Sequence, residues 1–564
     1  MQKIRLMALG GLDEDGKNMY LVEIDGDIFV VDCGLKYPSE SEQLGIEYII
    51  PDFTYLIEHK DKVKGVLISH GHDDVMSGLS HLLDVIDVEI YATALTAKIL
   101  EEEFRRHKIK NKHIHIIKRN DTFNIANHVI HTFPVMQSIA DGIGFAFETD
   151  SGMIVYTSEF VFDYDSLNKS FSMDINSLSQ LGQQNVLVLM SESTGANRTG
   201  YTAPKHRISN HIEHYFEESD KRLIITLYRQ NLFRIMEILE LASKYHKKVF
   251  FYDEDHIKML STVESLGYYD IPKNVIIDRQ DFNNDLKDIV CIVSGSGNNV
   301  FKLMNNIAIG EDSVIDLHED DTIIIASPVV PGTEKDATSM ENDLYKADVK
   351  IVKLNAKEIL SMHASIEDLK MMLYLIRPKY YLPIKGEYSS LINNADIAVE
   401  MGYTPDKIII LDNGQFADFE GNRLASTSEV IELEDKAIDS SDMRDVSGMV
   451  LRDREKLSTD GAIICGVVLD FNTKKVIGGP DIQSRGVIYL KDADHILAEI
   501  GNILVSTIEK NVENNSYENM QVRMEARDAI SRYVMKSTGK APMILPAIVE
   551  INMGEESGTE EEQQ

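Results

Sequence analysis

Short apolar runs rich in β-branched residues alternate with helical patterns along this chain, and this alternation limits the possible folds more than any other feature. A run of roughly four to eight such residues, bounded by turn signals, is typical of a buried strand. Four of these runs lie in the first third of the chain, at Ile28–Asp32, Gly65–Ser69, Met153–Thr157 and Val186–Met190. Between them, Thr96–Lys108 has early glutamates and late basic residues, as a helix dipole favours. The sequence therefore predicts an α/β protein of layered sheets and helices.

The alternation continues with longer helices from about Pro204. A second α/β unit is predicted from one helix and three strands, at Leu232–Tyr245, Lys248–Tyr252, Asp288–Val293 and Thr322–Ala326. After Ser361, a return to the first domain is predicted from the helix Ile366–Ile376 and the strands Lys379–Ile384 and Lys407–Leu411. A last unit, Asp460–Asn552, is predicted to contain strands, a turn, one or two helices and a final strand.

The composition is that of a soluble globular protein. At 564 residues the chain is too long for one compact core, and about three or four folding units are expected. The N-terminus lacks a secretory signal pattern, and no apolar run approaches the roughly 20 residues that span a bilayer, so a cytoplasmic protein without a membrane segment is expected. The cysteines Cys33, Cys291 and Cys465 are too few and too far apart for a thiolate metal site or a disulfide framework.

The formal net charge of −35 opposes tight, unspecific binding of nucleic acid, because lysine and arginine normally hold a polyanion by displacing its counterions. RNA binding would therefore require a local basic channel. Arg229, Arg234 and Lys302 are candidate contacts to RNA phosphates, although a single lysine or arginine is more often only solvated. If these side chains converge, RNA binding is favoured, and if they scatter, a scaffolding role is favoured.

One group of residues has the side-chain types of a metal site, and it directly follows the predicted strand Gly65–Ser69. It consists of His70, His72 and Asp74 in the turn His70-Gly71-His72-Asp73-Asp74. Two imidazoles two residues apart, with a carboxylate two residues further on, can converge on a divalent metal at the end of a strand. The alternative is an ordinary surface loop that collects histidine and aspartate.

Together with Asp32 in Val31–Gly34, this HxHxD run resembles the first two motifs of metallo-β-lactamase hydrolases. Further segments resemble the ribonuclease J family in particular, and they occur in the same order along nearly the whole chain. These segments are Gly10-Gly11 with Gly16–Asn18, Ser191–Thr194, Ser294–Ser296, Pro331-Gly332, Pro383–Glu387, and Pro480–Ile482 with Ser484–Gly486.

This resemblance implies a metallo-β-lactamase αββα sandwich with an inserted β-CASP α/β domain and a small α+β C-terminal domain. The implied boundaries are 1–205 and 366–430 for the metallo-β-lactamase domain, 206–365 for the β-CASP insert, 431–447 for a linker, 448–553 for a C-terminal assembly domain and 554–564 for an acidic tail. In the family, two metals, zinc or manganese, activate a water that attacks an RNA phosphodiester.

The chain departs from the family at four positions of the metal site. Val75 stands where a histidine is expected and has no lone pair to donate. Gln137 replaces a second histidine, and its neutral amide is a poor ligand for zinc or manganese. Glu159 replaces a bridging aspartate and lengthens the arm by one methylene. Lys385 replaces a third histidine, and it cannot ligate while its ammonium is charged.

Charge alone suggests a role for Lys385. Its ammonium is expected to fill the space of the missing cation and to pair with Asp74 or Glu159. His70, His72, Asp74 and Glu159 remain as metal ligands by resemblance, so one metal or none is expected to be retained.

The family's phosphate-binding motif is matched by Ile359-Leu360-Ser361-Met362-His363. Only Ser361 and His363 keep the expected residue types, and Met362 replaces a glycine, so its side chain hinders backbone approach to phosphate. By resemblance, these five residues are candidate substrate contacts, and Asp74 and His363 are candidate catalytic residues. Protonation of the leaving 3′ oxygen is the role that the resemblance suggests for His363. A partly buried histidine that caps a helix is the alternative.

Two functions follow from this pattern. The favoured one is an impaired paralogue in maturation and decay of rRNA and mRNA, which binds RNA and an active ribonuclease J subunit as a homodimer or hetero-oligomer. In this respect the chain resembles the second, active-site-degenerate ribonuclease J paralogue of Gram-positive bacteria. The other is an active metal-dependent 5′-3′ exoribonuclease and endoribonuclease. A hydrolase of small molecules is disfavoured, because the resemblance extends through the insert and the C-terminal unit.

Overall fold

The computed structural model describes residues 2–38, 45–110, 112–165, 169–330, 332–355, 359–439, 448–487 and 494–552. The chain divides into two compact units, Met1–Ser441 and Asp442–Gln564. The predicted acidic tail, 554–564, and residues 440–447 of the predicted linker lie outside the described residues.

The first unit is an α/β body of several sheets. Its strands are β1 (Lys3–Gly10), β2 (Met19–Ile24), β3 (Asp27–Val31), β4 (Ile46–Ile50), β5 (Val63–Leu67), β6 (Ile90–Ala92), β7 (Ile114–Ile116), β8 (Thr122–Ile125), β9 (His128–Pro134), β10 (Ile143–Phe147), β11 (Met153–Tyr156), β12 (Val186–Glu192), β13 (Leu223–Tyr228), β14 (Lys248–Phe251), β15 (Ile289–Gly295), β16 (Thr322–Ile325), β17 (Lys350–Lys353), β18 (Tyr380–Ile384), β19 (Phe416–Glu420), β20 (Arg423–Ser426) and β21 (Lys436–Asp439). Its helices are α1 (Thr54–Glu58), α2 (Asp73–Met76), α3 (Leu79–Val85), α4 (Ala94–Arg106), α5 (Ile175–Gly182), α6 (Ser209–Glu218), α7 (Leu232–Lys244), α8 (Asp255–Ser265), α9 (Asn299–Ala308), α10 (Glu334–Lys346), α11 (Ile366–Ile376) and α12 (Tyr388–Glu400).

Two sheets pack face to face and form the sandwich of the first unit. One has the order β20-β19-β1-β2-β3-β5-β6-β7, and the other has the order β18-β12-β11-β10-β9-β8. Alternate residues of β1 point to opposite faces: Leu6 packs between the sheets, while Met7 packs outward against α2 to α4. Helices α5, α11 and α12 cover the outer face of the second sheet. The four-layer αββα arrangement is therefore confirmed.

A five-stranded parallel sheet is inserted between β12 and β18. Its order is β14-β15-β13-β16-β17, with α6 to α8 packed on one face and α9 and α10 on the other. An ion pair between Arg222 and Asp321, 2.6 Å apart and almost fully buried, fixes the amino ends of β13 and β16. This insert is the second α/β unit that the sequence predicts.

The second unit is a three-stranded sheet covered by helices. It contains α13 (Gly448–Thr459), β22 (Ala462–Asp470), β23 (Val476–Arg485), α14 (Asp494–Glu513), α15 (Asn519–Thr538) and β24 (Met543–Ile551), with the strand order β23-β22-β24. Alternate residues of β22, such as Ile463 and Cys465, pack against α14 and α15. On the opposite face Ile464, Leu545 and Val549 are about half exposed.

Two local predictions differ from the structure. Lys407–Leu411 is not a strand, because a 3-10 turn occupies Pro405–Lys407 and only Ile408 forms a bridge, with Tyr381 of β18. Strand β23 has no counterpart in the prediction, since Gly478, Gly479 and Pro480 interrupt its apolar pattern. Within the predicted linker, Lys436–Asp439 forms β21 and pairs with β4.

Among the described helices, none has both the length and the apolar character needed to cross a membrane.

Candidate metal centre

The candidate centre lies in the turn between β5 and α2, and a buried aspartate holds this turn. Asp32, directly after β3, accepts hydrogen bonds from the backbone N–H of Ser69 at 2.8 Å and from the Ser69 hydroxyl at 3.0 Å. The phenol of Tyr156 donates to the same carboxylate. Burial raises the pKa of Asp32 to about 7 in spite of these donors. Asp32 therefore supports the turn from behind rather than reaching into the centre.

Two histidines follow in this turn. His70 is fully buried, and its Nδ1 lies 2.9 Å from the Ser69 hydroxyl and 3.2 Å from the Ser158 hydroxyl. Its Nε2 lies 3.0 Å from Nδ1 of His72, so one ring donates to the other. Burial lowers the pKa of His70 well below its ordinary value, and the ring is therefore neutral. The hydroxyl of Ser138 lies 3.0 Å from the other nitrogen of His72, Nε2.

Glu159 completes a cluster with these histidines. Its Oε2 lies 3.7 Å from Nε2 of His70 and 3.5 Å from Nδ1 of His72. One ligand atom from each of the three side chains lies within 4.8 Å of the others. Two imidazoles and a carboxylate in this arrangement are a candidate part of the ligand set for a single divalent ion.

Lys385 lies between the two carboxylates of the predicted site. Its Nζ donates to Oδ2 of Asp74 at 2.9 Å and to Oε1 of Glu159. Burial lowers the pKa of Lys385, but Asp74 and Glu159 outweigh burial and raise it well above the usual value. Burial likewise opposes charge on Glu159, and Lys385 is the main cause that lowers its pKa well below the ordinary range. Lys385 and Glu159 are therefore both charged at neutral pH.

The other two substituted positions offer no ligand that replaces histidine. Val75 is fully buried and packs in the apolar layer outside the first sheet. Gln137 is also fully buried, and its amide oxygen and nitrogen have no hydrogen-bond partner among the described residues. The residues present therefore do not fit a pair of metals, because an ammonium occupies the carboxylates that a second ion would need.

Gln230, a residue of the insert, contacts the loop of the candidate centre. The Gln230 amide nitrogen donates to Oδ1 of Asp73 at 2.6 Å, and its oxygen accepts from the backbone N–H of Asp73 at 3.2 Å. Asn18 donates to Oδ2 of Asp74 at 3.0 Å from the opposite side. The loop that carries the histidines is thus fixed by residues distant from it in sequence.

The residues of the predicted phosphate motif have two different surroundings: the apolar ones are buried, and the polar ones make polar contacts. Ile359 and Met362 belong to the apolar cluster of the insert, and Leu360 is also buried. The Ser361 hydroxyl accepts from Arg198 at 2.8 Å. Ser365, not His363, caps α11, through a capping box with Asp368. The helix-capping alternative for His363 is therefore wrong.

His363 is instead paired with Glu192 at the end of β12. Its Nδ1 lies 2.9 Å from Oε2 of Glu192, whose Oε1 accepts from the backbone N–H groups of Phe160 and Ala364. Burial lowers the pKa of His363, but Glu159 and Glu192 outweigh it and the pKa is raised. Sequence reasoning missed the pairing of Glu192 with His363, although an acidic residue at the end of an apolar strand was a usable signal.

Replacing Glu192 with glutamine is expected to lower the pKa of His363, because the amide oxygen still accepts the two backbone bonds while the charge facing Nδ1 is lost. A raised folded-state pKa contributes stability that is present below the unfolded value and is lost as pH rises through the folded value. The variant should therefore lose about 1–3 kcal/mol at mildly acidic pH and less at alkaline pH. NMR titration of labelled histidine and urea unfolding test this, and an unchanged His363 pKa would contradict it.

The structure brings two of the three candidate RNA contacts together and places the third apart from them. Arg229 and Lys302 line a cavity of about 500 Å³ at the carboxyl edge of the inserted sheet, together with Arg279. Asp253 lies 2.6 Å from Arg229 and Asp336 lies 3.7 Å from Lys302, so both cations are partly compensated. Two of the three predicted side chains thus converge.

Arg234, the third candidate, is buried. It donates to the backbone carbonyls of Ala326 and Leu360 at 3.0 and 3.2 Å, and burial lowers its pKa to about 10. The prediction that Arg234 can contact RNA phosphate is wrong, because the guanidinium serves these carbonyls inside the insert.

Comparison with known proteins agrees with this architecture. Residues 30–172 match the beta-lactamase superfamily domain, residues 220–344 the beta-CASP domain of ribonuclease J, and residues 449–551 the ribonuclease J C-terminal domain. A crystal structure of a protein of unknown function from Enterococcus faecalis V583 superposes with a TM-score of 0.53 at 15% identity, over 74% of this chain and all of that one. The fold and the site thus define a metallo-β-lactamase-fold protein with a β-CASP insertion.

Sequence similarity over the whole chain then identifies the family. Ribonuclease J 2 of Staphylococcus aureus is 33% identical over 97% of this chain and 98% of its own length. Ribonuclease J 2 of Staphylococcus epidermidis is 32% identical over the same shares. The chain belongs to the ribonuclease J family and is similar to its second paralogue. The predicted family and fold class are confirmed.

Proposed function

We propose that this chain acts in the cytoplasm, in the maturation and decay of rRNA and mRNA, as the partner subunit of an active ribonuclease J, with weak or absent cleavage of its own. The observation that carries this proposal is the position of Lys385 Nζ between Asp74 and Glu159. The ammonium neutralises the carboxylates that would otherwise bind metal.

The free energy needed to bind a second metal ion beside Lys385 supports weak or absent cleavage. A divalent ion about 4 Å from an ammonium is repelled by about 8 kcal/mol at an effective dielectric constant of about 20. Removing the proton from a lysine of ordinary pKa costs about 5 kcal/mol at neutral pH, and the raised pKa of Lys385 increases this cost. A second ion, of zinc or manganese, must therefore displace Lys385 from both carboxylates before it can bind.

RNA contact is proposed for the cavity that Arg229, Arg279 and Lys302 line at the edge of the inserted sheet. Cationic side chains that converge at the carboxyl ends of parallel strands can hold phosphate groups on an otherwise acidic protein. Assembly as a homodimer or hetero-oligomer is proposed through the second unit, whose sheet leaves Ile464, Leu545 and Val549 half exposed on one face.

An active metal-dependent 5′-3′ exoribonuclease and endoribonuclease is the second candidate. The cluster of His70, His72 and Glu159 favours it, because these three ligands match part of a single-metal site. In that case the one ion would be zinc or manganese and would act as a Lewis acid at the phosphodiester.

Digestion of a 5′-monophosphorylated RNA in the presence of manganese distinguishes the two functions. The purified chain is compared with a His70→Ala/His72→Ala variant prepared identically. We expect no cleavage, or equal traces in both, followed by altered cleavage when an active ribonuclease J paralogue is titrated with the chain. Cleavage by the wild type that disappears in the variant would overturn the partner role and establish the nuclease.

A further inference from the structure

We propose that Glu89, His113 and His115 form a second zinc site, at the free edge of the first sheet and separate from the candidate centre. One ligand atom from each of these side chains lies within 4.8 Å of the others. None of the three residues belongs to the motifs of the candidate centre. The arrangement is built by the pairing of two neighbouring parallel strands.

Strand register places the three side chains on one face. Strands β6 and β7 pair in parallel with Ile90 opposite Ile114 and Tyr91 opposite His115, so Glu89 lies opposite His113. Because side chains alternate between faces along a strand, residues 89, 91, 113 and 115 all point to the same side. Strand β7 is the last strand of the sheet, and at this edge Glu89 and His113 are exposed while His115 is partly buried.

The same register separates this cluster from the candidate centre. Val66 of β5 pairs with Ile90, so Glu89 lies level with Gly65, five residues before His70. That spacing corresponds to on the order of 15 Å along a strand. The edge site thus lies toward the amino ends of strands whose carboxyl ends carry the candidate centre.

Neighbouring rings and the backbone hold two of the ligands in place. His115 stacks on Tyr91 with ring centroids 4.7 Å apart, and Tyr91 stacks in turn on Phe123 at 5.6 Å. Nε2 of His115 lies 2.6 Å from Oε2 of Glu89, whose backbone carbonyl accepts from the N–H of Val66. The His113 ring meets the His115 ring edge-on at 4.7 Å.

The chemistry of this set suits zinc. Two imidazoles and one carboxylate are ligands that zinc accepts at about 2.0–2.2 Å, with a water in the fourth position. Ligands around a tetrahedral ion lie about 3.4 Å apart at such bond lengths, so the present separations need only small side-chain rotations. Exposed Glu89 and His113 can make these rotations without disturbing the core.

This site changes what metal analysis of the whole protein reports. One equivalent of zinc in the purified chain would lie at the sheet edge, and its presence would say nothing about the centre that holds Lys385.

Zinc titration by calorimetry, with Zn²⁺ alone as the probe, tests the proposal. The wild type is compared with His113→Ala/His115→Ala, Glu89→Gln, the centre variant His70→Ala/His72→Ala, and His131→Ala as a control on another strand. We expect the wild type, the centre variant and His131→Ala to bind zinc alike, while His113→Ala/His115→Ala loses at least about 100-fold in affinity and Glu89→Gln at least about 10-fold.

The proposal is overturned if the wild type takes up no zinc, or if uptake persists unchanged in His113→Ala/His115→Ala. Loss of uptake only in the centre variant also overturns it, and would place the ion at His70 and His72. Unfolding curves that coincide for the wild type, His113→Ala/His115→Ala and Glu89→Gln establish that any loss comes from the ligands, since Glu89 and His113 are exposed and His115 is only partly buried.

Discussion

Replacing Lys385 with methionine is expected to destabilise the first unit by about 3–5 kcal/mol at neutral pH, because removing one partner of a buried ion pair leaves an uncompensated charge. Glu159 would keep its burial and lose the cation that lowers its pKa. Methionine retains the length and apolar stem of lysine, so the loss comes from charge rather than from a cavity. Urea unfolding of the variant beside the wild type measures this effect.

The pH dependence of this variant has a definite sign. Without Lys385, burial raises the pKa of Glu159, and a folded-state pKa above the unfolded value means that the folded protein binds the extra proton. The variant should therefore regain stability as pH falls from neutral to mildly acidic. A variant that loses stability over that range would contradict the assigned ion pair.

A double variant, Lys385→Met/Glu159→Gln, provides the matched control. It removes both buried charges, so it should be more stable than Lys385→Met alone, and Asp74, which is partly exposed, can be solvated. If the double variant is as unstable as the single one, the loss arises from packing and not from the unpaired carboxylate.

Restoring the family's ligands is expected to create a metal-binding nuclease. The variant Val75→His/Gln137→His/Glu159→Asp/Lys385→His replaces an ammonium, an apolar side chain, a neutral amide and a lengthened carboxylate with the residue types that the family uses. We expect it to take up two divalent ions beyond any at the sheet edge, and to cleave RNA at least about 100-fold faster than the wild type, because single ligand-shell changes already alter metal sites by about 10- to 100-fold.

The triple variant that retains Lys385 separates charge from ligand number. It carries the other restored ligands, but its ammonium still occupies Asp74 and the shortened carboxylate at position 159, so it should bind fewer ions and remain close to wild-type activity. Equal activity of the triple and quadruple variants would contradict the role of Lys385. The bound metal ions are counted in proteins that also carry His113→Ala/His115→Ala, so that the sheet edge does not contribute. Unfolding curves show whether the Val75→His substitution disrupts the apolar layer around Val75.

Local patterns predicted much of the fold. Helix α11 has the bounds that the sequence predicts, because Ser365 and Asp368 cap its start and Pro378 disfavours helix at Arg377. Strand β23 could not be predicted from its own residues, since it is held by pairing with β22 rather than by an apolar pattern. Lys407–Leu411 has a strand-like composition, but it forms only one bridge to its neighbour.

For the candidate site, the sequence predicted a contact between opposite charges. It missed contacts between residues that are brought together only by the fold. The sequence predicted that Lys385 pairs with Asp74 or Glu159, because an ammonium among carboxylates has few other stable positions, and in the structure it contacts both. The burial of Arg234 was missed, because its partners are carbonyl groups of Ala326 and Leu360, which carry no signal in residue type. Glu192 was also missed as the partner of His363, because the two residues are 171 positions apart in the sequence and their contact depends on the fold.

The positive charge at the centre of this protein is part of the chain itself. A bound metal ion must be acquired from the cell, and a chelator can remove it, whereas the ammonium of Lys385 is present in every copy once translation ends. The charge at this position therefore requires no metal-loading step. It does not change when the cell is starved of zinc or manganese.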